Sequence, residues 1–301
     1  MTASPGGTTP RTPRYGIVQF TSDRGLPPSV VGPAAERAGF GSYWVPEHTH
    51  IPVRRDAAHP GTGTAELPDD RYMRTLDPWV ALATVAPLTE RIRLGTAVAL
   101  PVEHDPISLA KTIATLDHLT KGRVTLGAGF AWNTDELEDH NVPPKRRRTM
   151  LREYLEAMRS LWSADSDEAA YDGEFVKFGP SWAWPKTHQQ PGPPVLIGAA
   201  GTDKNFAWIT RSADGWISTP MEPDIEAKVA NLRSAWREAG RDGDPEVVIL
   251  AGKPDPDQLA RWEQAGVTEA LFGIPDKYQA EDEVAAYLAR LAGKVGLTAA
   301  G

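Results

Sequence analysis

The sequence contains no cysteine. That removes disulfides, thiolate metal sites and a cysteine nucleophile together, and it fits a cytoplasmic protein. Long apolar runs are missing too: none approaches the roughly 20 residues needed to cross a bilayer. Basic residues are outnumbered, and the net charge is −8. An acidic surface argues against nucleic acid or an anionic membrane as the main partner. The first fourteen residues, rich in Thr, Pro and Gly, lack the apolar core of a secretion signal. Met1 to Arg14 therefore read as a disordered tail, leaving 15–301 as one domain.

What remains is ordinary in composition, with 41% hydrophobic and 24% charged residues, and long enough to bury a sizeable core. Short runs rich in Val, Ile and Tyr alternate with longer helical patterns. That alternation predicts repeated βα units around a parallel sheet. Eight strands are expected, at Tyr15 to Phe20, Ser42 to Val45, Ile92 to Leu100, Arg123 to Gly127, Val195 to Gly198, Gly215 to Thr219, Glu246 to Ala251 and Glu269 to Gly273. Eight units in one chain favour closure into a (β/α)8 TIM barrel over an open doubly wound sheet. Ser29 reads as the cap of the first helix and Gly39 as its stop. Asp77-Pro78 and Asp105-Pro106 each pair a capping acid with a first-turn proline, so each opens a helix. Two segments interrupt the alternation. Pro46 to Leu76 is a long loop after the second strand, rich in Gly, Pro and Asp; loops of that length are often functional. Ser163 to Pro194 is an insertion between the fourth helix and the fifth strand, with Trp182 and Trp184 and room for a hairpin.

In a barrel of this kind, active sites gather at the C-terminal ends of the strands. The residues expected there are poor in carboxylates, serines and lysines and rich in small and aromatic side chains, a composition suited to positioning a cofactor that brings its own chemistry. His48 directly follows the second strand and could exchange a proton or bond to a flavin-like ring, with the adjacent Glu47 setting its charge. Gly198, Ala199, Ala200 and Gly201 precede a helix that starts near Thr202, where free backbone N–H groups suit a phosphate; the alternative is a tight structural turn. The basic run Lys145 to Arg148 reads either as a solvated face or as a clamp for an anionic tail.

The segments "SYWVPEHTHIP", "RIRLGTAVALPVEHDPISLAKTIATLDHLTKGRVTLGAGFAWNTDEL", "PPVLIGAAGTDKNFAWITRSADGWI" and "EALFGIP" resemble the luciferase-like monooxygenases, and more narrowly the oxidoreductases that use the deazaflavin coenzyme F420. The likeness runs from about Tyr15 to Leu291. It implies a barrel with an isoalloxazine-like ring across the strand ends. Glu47-His48 stands where relatives often have Asp-His, close to the hydride-carrying carbon. Thr96, Ala97 and Val98 match a segment that carries an unusual cis peptide under the ring, and Asn133 matches a position near ring or substrate. Gly198 to Gly201 match the phosphate turn. Phe130 stands where some sugar-phosphate-oxidising relatives have a catalytic Glu, so their proton-transfer scheme does not carry over. The family is commonly dimeric, which implies a homodimer through the second and third helices.

The implied activity is hydride transfer between coenzyme F420 and an unidentified small-molecule or modified-peptide substrate. Trp44, His48, Trp132 and the Pro46 to Leu76 loop would wall the pocket, and the aromatic insertion near Trp182 suggests a bulky partner. An FMN-dependent two-component monooxygenase is the alternative. A metal-dependent hydrolase built on His48-Thr49-His50 lacks later histidine ligands, because no histidine follows His188. A coenzyme-binding protein without turnover is the remaining rival, suggested by Phe130.

Overall fold

The computed structural model describes residues 14–165, 167–219 and 222–298. The expected tail therefore lies outside the described residues, except that Arg14 already opens the first strand. In chain order the elements are β1 (Arg14–Val18), α1 (Pro28–Arg37), β2 (Ser42–Val45), α2 (Pro78–Val85), β3 (Arg93–Thr96), α3 (Pro106–Leu119) and β4 (Val124–Gly129). Then come α4 (Thr134–Asp139), α5 (Arg147–Trp162), β5 (Glu168–Asp172), β6 (Lys177–Trp182), β7 (Val195–Gly198), α6 (Asp203–Ser212) and β8 (Gly215–Ile217). The chain finishes with α7 (Ile225–Glu238), β9 (Glu246–Ala251), α8 (Pro256–Ala265), β10 (Glu269–Gly273) and α9 (Glu281–Lys294).

Eight strands close in the order β1-β10-β9-β8-β7-β4-β3-β2, every neighbouring pair parallel. This is the (β/α)8 TIM barrel that the alternation predicts. Its interior is plugged by Trp44, Leu196, Ile217, Val248 and Leu271. Below them Arg93 pairs with Glu246 and Glu269, and Ser42 bonds to Glu269 and to Trp44 Nε1. Trp44 is fully buried in this plug, so it does not wall a substrate pocket as expected.

The helix openings follow the local chemistry. Asp77 caps α2 by accepting from Val80 N, and Asp105 caps α3 by accepting from Ser108 N. The first helix differs: it starts at Pro28 with Pro27 at its cap position and no side-chain bond, so Ser29 lies inside the first turn. The third strand is also shorter than its apolar pattern suggests. It leaves the regular ladder at Thr96, just before the cis peptide Ala97-Val98.

The insertion forms the antiparallel hairpin β5-β6, with Asp172 opposite Lys177. It packs on α5 through Tyr154, Ala157 and Val176. Trp182 lies at the end of β6, and the carbonyl of Trp184 accepts from Lys111 on α3. Both indoles are exposed on the outside of the barrel. The segment that carries them packs on α5, and Lys111 of α3 reaches the Trp184 carbonyl, so the insertion lies along the helical wall of the barrel.

Candidate active site

The chain between β3 and β4 builds the floor of the C-terminal mouth. Ala97 N donates to Val45 O at 2.8 Å, and Ala99 N donates to Gly127 O at 2.7 Å, so the segment is laced between β2 and β4. Thr96 is buried and its hydroxyl donates to Gly127 O. Ala97 and Val98 keep partial exposure at the mouth. Val98 fits there because glycines flank it: a Cβ on Gly198 would lie 2.5 Å from Val98 Cγ1, and one on Gly129 would lie 2.6 Å from Val98 Cγ2. Any side chain at either position would displace Val98.

Around this floor stands a polar cluster that sequence order hides. His48 Nδ1 lies 2.8 Å from Glu136 Oε2, and the Glu136 side chain has no exposure. A carboxylate at Nδ1 holds the imidazole proton on that nitrogen and leaves Nε2 free to work. The expectation that Glu47 sets the charge of His48 is therefore corrected. Neighbouring side chains of a near-extended chain point opposite ways, and Glu47 accepts from Leu100 N at 2.5 Å and pairs with His104 Nε2 at 2.6 Å. Burial pulls the His104 imidazole down, but its bond and attraction to Glu47 outweigh that and leave it raised.

Glu103, in a short 3-10 turn after β3, is the third buried carboxylate. Its burial, with the charges of Glu136 and Glu47 nearby, pushes it up to about 9. Among the described residues its Oε1 has no partner. Sequence reading missed Glu103 and Glu136 because neither follows a strand directly. Glu136 sits on α4, a helix of one and a half turns with no apolar periodicity to announce it; the available signal was the acidic first turn after Asn133.

Asn133 is fully buried at the start of α4. Its amide lies 3.4 Å from Glu136 Oε2, and its Oδ1 accepts from no group among the described residues. Thr21, after β1, has a buried hydroxyl without a partner among the described residues. Such orphaned groups are costly unless something binds them.

Aromatic rings cover His48. Tyr72 and Trp132 each lie 5.6 Å from it between ring centroids, and His59 bonds to the Tyr72 hydroxyl at 2.9 Å. Burial, followed by the charges of His48 and Arg55, lowers His59. Tyr72 and His59 come from the long loop after β2, which is irregular as expected but tied down. Arg71 binds Asp69 and Asp276, Arg74 binds Asp23, and Asp135 accepts from the Asp56 and Ala57 amides.

His48 and His50 do not converge on a metal position. His50 Nε2 faces Asp139 at 3.0 Å, away from the Glu136 that holds His48. Among the described residues, no group of three or more His, Asp or Glu is arranged to hold a metal ion.

On the far side of the mouth, Gly198 to Gly201 form the turn into α6, with Thr202 capping the helix. Gly201 N donates to Glu222 Oε1 at 3.1 Å, and Thr219 holds the other oxygen at 2.6 Å. An anionic oxygen thus already sits on this turn, contributed by the chain itself. Met221, which follows the sixth strand of the barrel in sequence, lies outside the described residues. Phe130 packs at 5.0 Å from Trp208 and under the Arg148 guanidinium at 4.1 Å. Of the basic run, Arg146 pairs with Glu174, Arg147 donates to Pro144 O while its buried Nε has no partner among the described residues, and Arg148 stacks on Phe130.

The model of the family described as "Luciferase-like monooxygenase" matches residues 31–296. A protein of Mycobacterium tuberculosis described as uncharacterized is 66% identical over 281 residues, 93% of this chain and 98% of that one. Among solved structures, the monooxygenase RslO1 from Streptomyces bottropensis superposes with a TM-score of 0.72 at 21% identity, covering 94% of this chain and 98% of its own. An F420-dependent secondary alcohol dehydrogenase in complex with an F420-acetone adduct also gives 0.72, at 17% identity, covering 94% and 99%. These distant likenesses speak for the fold. No helix among the described residues is long and apolar enough to cross a membrane.

Proposed function

Because this chain belongs to the luciferase-like monooxygenase family, we propose that it transfers a hydride between the deazaflavin coenzyme F420 and an organic small molecule or modified peptide. The observation that carries the reading is the His48–Glu136 pair at the barrel mouth. A hydride moved to or from carbon leaves a proton to be exchanged, and an imidazole fixed at Nδ1 by a buried carboxylate presents Nε2 for that exchange.

The residues present fit a ring cofactor. Thr96, Ala97 and Val98 would lie beneath it, and the orphaned oxygen of Asn133 offers an acceptor for one of its N–H groups. Gly198, Ala199, Ala200 and Gly201 would take the phosphate, which requires the Glu222 carboxylate to leave Gly201 N. Arg147 and Arg148 suit the anionic tail beyond it. When bound, the deazaflavin supplies a carbon that gives or accepts a hydride. The chain's own part is to orient it, exclude water beneath Tyr72 and Trp132, and hold or release a proton at His48 Nε2. Glu47 acts at one remove, fixing the backbone at Leu100.

The alternative is an FMN-dependent two-component monooxygenase. RslO1, described as a monooxygenase, shares the fold as closely as the F420 enzyme does, so the fold does not choose between the two readings. The deciding experiment is a fluorescence titration of purified protein with F420 and, separately, with FMN. Micromolar or tighter F420 binding with weak FMN binding is expected. The reverse preference moves the assignment to the monooxygenase, and binding of neither overturns both.

A further inference from the structure

Glu136 spends only one carboxylate oxygen on His48. Its other oxygen accepts from Thr49 N at 2.9 Å and lies 3.4 Å from the Thr49 hydroxyl. That hydroxyl is a junction: it sits 2.7 Å from His140 Nε2 and 3.1 Å from His50 Nδ1. His50 Nε2 in turn faces Asp139 Oδ2 at 3.0 Å. Exposure rises along this line. The side chains of Glu136 and His48 are 0% and 8% exposed, that of His140 27%, and those of His50 and Asp139 42% and 60%.

We propose that Glu136, Thr49 and the His50–His140 pair form a proton wire that joins His48 to solvent beside Asp139. The inference rests on the reading of His48 as the group that exchanges the substrate's proton. It adds a route for that proton while the mouth is covered by Tyr72, Trp132 and a bound ligand. Each link is within hydrogen-bond distance, and each member can both accept and release a proton.

In the oxidative direction His48 Nε2 takes the proton of a substrate hydroxyl, and its Nδ1 proton passes to Glu136 Oε2. The neutral carboxyl then turns about its Cγ–Cδ bond, carries that proton to the Thr49 side and gives it to the Thr49 hydroxyl as that hydroxyl gives its own to His50 Nδ1 or His140 Nε2, which restores the Glu136 carboxylate. A proton leaves the exposed imidazole for water. The net transfer is one proton from substrate to solvent. No electrons travel this way, since the hydride leaves with its electron pair for the coenzyme. His48 ends with its proton on Nε2, the tautomer that donates in the reductive direction.

The surrounding groups are consistent with transit rather than trapping. Glu103 Oε2 lies 3.3 Å from the Thr49 hydroxyl and 3.9 Å from His140, and a Glu103 held neutral offers no second anion to hold the proton. Burial first, then the neighbouring His50, lowers His140 and favours its neutral accepting form. Glu47 is engaged with His104 on the other side of the cluster.

The test uses the whole protein, labelled with 15N-histidine and free of ligand. NMR reads the exchange of the His48 Nδ1 proton with water in the wild type, Thr49→Val and Thr49→Ser. Thr49→Val is expected to slow exchange by about tenfold or more, and Thr49→Ser to restore it. Unchanged exchange in Thr49→Val overturns the wire, because the proton then leaves through the mouth. Equal slowing in both variants also overturns it, because packing rather than the hydroxyl is then responsible. Should Thr49→Val fail to fold, the double variant His50→Phe/His140→Phe blocks the exposed end, and unchanged exchange there overturns the wire equally. F420 titrations run in parallel keep the two readings separate: a wild type that does not bind F420 sinks the functional assignment while the exchange rates still decide the wire.

Discussion

Glu103 holds a carboxyl group in a position where ionisation is opposed from three sides, by burial and by the carboxylates of Glu136 and Glu47. The sign of its effect on stability follows. The folded value, about 9, stands above the ordinary 4.5, so the folded state keeps a proton that the unfolded chain releases. The contribution is fully present below about 4.5 and is lost as pH rises toward 9. Glu103→Gln removes the ionisation and keeps the shape. It is expected to raise Tm over wild type by a few degrees at pH 8, with the gain shrinking to nothing near pH 4.5. Thermal unfolding followed across that range checks this, and parallel curves for the two proteins would count against the assignment. Of this cluster, His48 was legible in the sequence because it abuts a strand end, where the fold gathers chemistry. Its partner was not, because the sequence offers Glu47 next door, whereas Glu136 arrives from α4 across the mouth.

At the scale of elements, the loop after β2 is held by ion pairs more than by apolar packing. Arg71 reaches Asp276 beyond β10 and stacks on Phe20, and Arg74 reaches Asp23 beyond β1. Exposed pairs of this kind are each worth about 0–1 kcal/mol. Arg71→Ala is therefore expected to leave global Tm almost unchanged while speeding protease cleavage within residues 50–75, since local opening draws on weak contacts alone. A large drop in Tm would mean that the loop is part of the cooperative core. The helix starts at Asp77 and Asp105 were readable because a capping acid followed by proline is a local device. The early end of β3 was not, because the apolar run to Leu100 looks the same whether it continues the ladder or turns under the mouth at Ala97-Val98.

At the scale of the whole molecule, α2 and α3 leave a groove of about 520 Å³ between them, lined by Trp79, Val80, Leu109, Leu116 and Leu119. Val80 and Leu119 are 66% and 72% exposed, and the buried Trp79 Nε1 has no acceptor among the described residues. We propose that a second copy of the chain covers this face, the homodimer that the family resemblance implies. Light scattering is expected to give twice the monomer mass, and Val80→Glu/Leu119→Glu to give the monomer, because a charge in an apolar contact is strongly unfavourable. A monomeric wild type would refute the contact.

The sequence by itself determined the (β/α)8 barrel and the openings of α2 and α3 at Asp77 and Asp105. Each of these is set by local periodicity and by residues adjacent in the chain. It also marked His48 and the small residues of the floor, whose place follows from being last on a strand. Only the tertiary structure decided which carboxylate holds His48, that Trp44 plugs the interior, that Glu222 rests on the turn before α6, and that the aromatic insertion lies along α3 and α5. Those contacts join residues far apart in sequence, and closing the barrel is what brings them within a hydrogen bond of each other.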